Sequence, residues 1–129
     1  MSSAATQSTV LDNIKRMFAA ITQGDMDTFR SYYTPDAVVW HNHDEAEQNL
    51  DEVCQGLSHL VSISNWLRYD NQVIYPAGSE HFVQHVLVAD LKSGGTLRLP
   101  AMMHIETDGN GLITRLEEYF DSRATDLLR

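Results

Sequence analysis

Two sets of residues in this chain are of types that can do chemistry. His85 sits in a strand-like run, Phe82-Val83-Gln84-His85-Val86-Leu87-Val88-Ala89, and Glu118 sits in another, Leu116-Glu117-Glu118-Tyr119-Phe120. An imidazole and a carboxylate meeting in apolar surroundings could work as general acid and base. The second set is His41-Asn42-His43-Asp44-Glu45. His41 and His43 share one face of a strand, and two imidazoles so placed could bind zinc if a third ligand came from elsewhere. The sequence supplies no clear third ligand, so the expected site holds no metal and no cofactor. Cys54, the only cysteine, reads as a small core residue, since nothing near it in sequence would depress its pKa.

Three helices and five strands must position these groups. Val10, Ile14, Met17, Phe18 and Ile21 recur at steps of three and four, which predicts a helix with one apolar face. Thr9 or Ser8 can cap its start, and Gly24 can end it. Asp25 opens a second helix carrying Met26, Phe29, Tyr32 and Tyr33, which Pro35 stops. A third helix carries Leu50, Val53, Cys54, Leu57, Leu60 and Val61, opened by Asp44 with Glu47 or by Asn49 with Glu52. Strands are expected at 37–42, 66–75, 80–91, 96–107 and 112–120, with Gly-rich turns that mark an antiparallel meander. Helices followed by a long curled sheet make an α+β fold.

At 129 residues the chain is expected to be one domain, with residues 1–7 a polar arm. Nine Lys+Arg against eighteen Asp+Glu give a net charge of −9, which argues against a nucleic-acid partner. No apolar run is long enough to span a membrane, and a lone cysteine suits a reducing cytoplasm. The run Phe82–Ala89 is apolar on both faces although helices can cover only one. Its outer face is therefore expected to meet a second copy of the chain in a two-fold dimer.

The order of elements, with GDMDTFRSYYTPDAVVWHN early and GLITRLEEYFDSR late, resembles the NTF2-like superfamily. Its SnoaL-like, ketosteroid-isomerase-like and limonene-epoxide-hydrolase-like branches are the most similar, over about Val10 to Asp121. The resemblance implies a cone-shaped barrel: the curved, mostly antiparallel sheet wraps the helices and encloses an apolar pocket. It does not settle the reaction, because the scaffold also carries proteins without catalysis. Where ketosteroid isomerases place an Asp base, a Tyr and a protonated Asp, this chain has Asn42, Met17 and Met103. Of the epoxide-hydrolase set, Asn42 and Glu118 match; His85, Leu87 and Trp40 stand where an Arg, an Asp and a Tyr would be.

The resemblance also implies which side chains face the pocket: Val38, Trp40 and Asn42; Val83, His85 and Leu87; Leu99, Ala101, Met103 and Ile105; Leu116, Glu118 and Phe120. Glu118 is then the expected base, because desolvation favours the protonated form of a carboxylate in an apolar hollow. His85 would share its proton or orient it, and Trp40, Asn42, Met17, Leu87, Met103 and Phe120 would contact the substrate. His41 and His43 would point away from the pocket. His104 and Glu106 would lie on an outward face, and His81 and His104 would be surface or interface residues. Leu127 and Leu128 could cover the pocket mouth. The expected function is cofactor-free acid–base chemistry on a small apolar oxygenated molecule. Two alternatives stand beside it: a non-catalytic ligand carrier, and a dimeric interaction module whose vestigial pocket is filled by Met17, Met103 and Trp40.

Overall fold

The stripe Val10, Ile14, Met17, Phe18 and Ile21 is the buried face of helix α1 (Gln7–Gln23) in a computed structural model that describes residues 6–128. The first five residues of the expected polar arm lie outside the described residues, and Thr6 and Gln7 belong to the helix start. Thr6, not Ser8 or Thr9, is the cap, its Oγ1 accepting the Thr9 N–H at 3.1 Å. The helix starts a turn before its apolar stripe because a cap satisfies backbone donors, which have no bearing on core contacts. Gly24 closes α1 at φ 69°, and a Cβ there would lie 3.1 Å from Val61 Cγ1. Glycine thus allows both the left-handed turn and the close approach of α3 (Leu50–Ser62).

Asp25 caps α2 (Met26–Arg30), accepting the Thr28 N–H at 3.1 Å and its hydroxyl at 2.6 Å. This helix is shorter than expected, and Tyr33 and Pro35 belong to strand β1 (Tyr33–His41). Pro35 is tolerated there because the pairing of β1 with its long neighbour shifts register between Tyr33 and Val38. Asn49 and Glu52 form the capping box of α3, with reciprocal hydrogen bonds of 2.9 and 3.2 Å. The rival start at Asp44 fails because β2 (Glu47–Gln48) pairs with the edge of β1.

Four long strands follow as an antiparallel meander: β3 (Ser64–Ala77), β4 (Glu80–Leu91), β5 (Thr96–Thr107) and β6 (Ile113–Phe120). β3 runs through Pro76, which an edge strand can hold without losing a ladder bond. The order is β2-β1-β6-β5-β4-β3, with β1 parallel to β6. The sheet is therefore mixed and open, with β2 and β3 as its edges. Helix α1 packs on β3, α3 packs on β1 and β3, and a C-terminal 3-10 turn (Ser122–Leu128) packs on β5. Ile14, Met17, Phe29, Leu97, Ile105 and Ile113 are almost wholly removed from water. Burial of each such side chain contributes roughly 1.5–3 kcal/mol before entropy is counted. No helix among the described residues is long and apolar enough to cross a membrane.

Candidate active site

Between the helices and the sheet lies a cavity of about 180 Å³. Its wall is apolar apart from a few groups, among them Glu118, His41, Tyr33 and Tyr69. Strand register decides who faces it. Glu118 is the Cα partner of Met103 on β5 and of His41 on β1. Leu116 is the partner of Val39. Since Leu116 and Glu118 line the cavity, Val39 and His41 line it too.

The expected phase of β1 is therefore reversed. Val38, Trp40 and Asn42 do not line the cavity, because side chains alternate and a shift of one residue exchanges the two faces. Trp40 instead packs against Tyr119 at 5.3 Å. The Asn42 amide ties the end of β1 to β6, donating to the Phe120 carbonyl at 3.2 Å and accepting the Phe120 N–H at 3.0 Å. Phe120 packs on the rings of His41 and His43 at 6.1 and 5.1 Å rather than lining the cavity. Met17, Leu87, Met103 and Glu118 line it.

Glu118 meets an imidazole, and that imidazole belongs to His41. His41 Nε2 lies 3.2 Å from Glu118 Oε1, and both side chains are mostly shielded from water. His85 is buried among Phe18 and Tyr69, with ring centroids at 5.2 and 4.6 Å. Gln72 Nε2 lies 3.1 Å from its Nδ1, and its Nε2 has no partner among the described residues. Burial lowers the pKa of His85, and the charge of Glu118 opposes this in part. A neutral His85 therefore stands behind the phenol of Tyr69.

Tyr33 and Tyr69 were not singled out from the sequence. Burial pushes both phenols well above the usual range, and the nearby Glu118 charge adds to it, so each stays protonated and able to donate. Neither hydroxyl makes a hydrogen bond among the described residues. The signal available in the sequence was their aromatic type alone, which most often means core packing.

Other titratable groups sit apart. His81 is fully buried rather than at the surface, because it shares the inward face with Val83 and pairs with Ile105. His43 contacts Asp44 at 3.4 Å. Cys54 is buried, and burial raises its thiol pKa, which fits a packing role. At the cavity mouth Leu128 and Thr125 contribute to the wall, whereas Leu127 is exposed. Met17 and Met103 line the hollow without filling it, and Trp40 is outside it.

The family model of the SnoaL-like domain matches residues 14–116. The chain belongs to the SnoaL-like family. No curated protein matches this SnoaL-like sequence. Several solved structures do match its fold. One is a candidate polyketide cyclase from Xanthomonas campestris pv. campestris, 16% identical with a TM-score of 0.76, over 88% of this chain and 91% of that one. A SnoaL-like candidate polyketide cyclase from Shewanella putrefaciens is 13% identical with a TM-score of 0.77, over 90% and 92%. AclR, a candidate hydroxylase from Streptomyces galilaeus, is 11% identical with a TM-score of 0.80, over 92% and 79%. At such identities the SnoaL-like chain shares their NTF2-like fold, and its chemistry has to be argued from its own residues.

Proposed function

We propose that this SnoaL-like chain is a cofactor-free acid–base enzyme acting on a small, apolar, oxygenated molecule. The observation that carries the reading is a carboxylate, Glu118, beside the His41 imidazole on the wall of an otherwise mostly apolar cavity. Glu118 takes a proton from a carbon next to a carbonyl, or from a bound water. His41 steadies the carboxylate and relays the proton, and the phenols of Tyr33 and Tyr69 donate to the oxygen that gains charge. Isomerisation, cyclisation, dehydration and hydrolysis can all begin this way. The polyketide cyclase names among the solved relatives accord with that group.

Met17, Leu87 and Met103 supply apolar contact to the substrate. His85 acts one layer out, as a positioning residue that sets the Tyr69 ring. Trp40, Asn42 and Phe120 support the strand that carries His41. The outer sheet face, with Trp66, Tyr75, Met102 and Tyr119 exposed, suits a second copy of the chain. A solution mass of one chain would count against that dimer. The lone cysteine suits a reducing, cytoplasmic setting.

The test is exchange of α-protons for deuterium, followed by NMR, across a panel of small apolar ketones. Catalysed, saturable exchange supports the enzyme. Saturable binding without exchange favours a carrier, and absence of binding contradicts both.

A further inference from the structure

On the outer face of the sheet, away from the cavity, Glu80, His104 and Glu106 each bring one ligand atom to within 4.8 Å of the others. The register makes this a cross-strand cluster. Glu80 and Glu106 are Cα partners on β4 and β5, and His104 is the partner of Phe82 on β4 and of Glu117 on β6. Like charges directly opposite in an antiparallel pair repel and destabilise the sheet. Arg115, within 2.6 Å of Glu47 and 3.1 Å of Glu117, is the arginine of the group. Four glutamates thus share one arginine and one imidazole, an excess of negative charge that a divalent cation would reduce.

The imidazole is already held in the manner of a metal ligand. Its Nδ1 lies 3.0 Å from Glu117 Oε1, and its ring stacks on Phe82 at 4.9 Å with an interplanar angle of 15°. Histidines that bind metals commonly donate their second N–H to a carboxylate, which fixes the ring and its tautomer. That leaves Nε2 turned to Glu80 Oε1 at 2.7 Å, with Glu106 alongside.

We propose that His104 Nε2 and the carboxylates of Glu80 and Glu106 form a site for one first-row divalent cation such as Zn2+, with Glu117 as the positioning residue. One nitrogen and two carboxylates suit a borderline ion better than Mg2+ or Ca2+, which favour all-oxygen sets. The ion takes the place of the Nε2–Glu80 hydrogen bond, with the Nε2 proton released to solvent, bridges the opposed glutamates, and pins β4 to β5. Because the cluster lies on the face opposite the cavity, this site stabilises the sheet and takes no part in the acid–base chemistry.

The test is calorimetric titration of metal-stripped, full-length protein with Zn2+, with thermal unfolding followed in parallel. One equivalent should bind and raise the melting temperature. Glu106→Gln and Glu80→Gln should each abolish both effects, and Glu117→Gln should weaken binding roughly 10- to 100-fold. His41→Gln should leave binding intact, which separates this site from the His41–His43 pair. Circular dichroism of each variant distinguishes loss of the site from loss of the fold. Absence of binding at millimolar Zn2+, or binding that survives either glutamate substitution, would overturn the proposal and leave His104 as part of an ion-pair network only.

Discussion

His41 and Glu118 are Cα partners across the parallel β1–β6 pair, and their side chains meet at 3.2 Å on the cavity wall. Parallel neighbours keep the same face in register. Once Glu118 turns inward, His41 must follow, and the pair is fixed by backbone geometry rather than by a flexible loop.

The two buried phenols give the first prediction. If the phenols donate to developing charge as proposed, Tyr69→Phe and Tyr33→Phe should each lower kcat by about 100-fold or more. Neither hydroxyl makes a hydrogen bond among the described residues, so urea stability should change little. Steady-state kinetics and unfolding curves read the two effects separately. Equal loss of stability and activity would mean that the tyrosines act only as core.

Burial of His85 gives the second. Its pKa is lowered by burial, so the folded value lies below the unfolded value of about 6.5. As pH falls below that value the unfolded chain takes up a proton that the folded chain refuses. Stability is therefore fully present above about pH 6.5 and declines on acidification. His85→Phe should make the acid limb of stability against pH shallower, measured by urea unfolding. His81, which burial shifts the same way, contributes to the slope that remains. A limb unchanged in His85→Phe contradicts the assignment.

At the end of α1, Gly24→Ala should cost about 1–2 kcal/mol. The substitution forces a left-handed residue to carry a Cβ and presses that Cβ against Val61. Chemical denaturation measures it, and a change below a few tenths would show that α3 can move aside.

Much of this architecture was legible from residue types. The stripe from Val10 to Ile21, the Asn49–Glu52 box and the Gly-rich turns reflect local rules that the packed chain also obeys. Pro35 misled because the sequence does not reveal that a register shift spares its missing N–H. The phase of β1 was hidden for a related reason. Val38, Val39, Trp40 and His41 are all compatible with a strand on either face, and only pairing with Leu116 and Glu118 decides between them. The inward turn of Glu118 was readable only through the family resemblance, since Glu117 and Glu118 offer a carboxylate to either face of the strand. Its imidazole partner was not, because two histidines in different strands are equivalent until register is known.

Glu118→Gln tests the central claim most directly, with α-proton exchange and binding of the same small ketone measured on one sample. The carboxamide keeps the shape of the wall but cannot accept a proton. Exchange should fall by about 100-fold or more while binding persists. Undiminished exchange in the glutamine variant would contradict the assignment of Glu118 as the base.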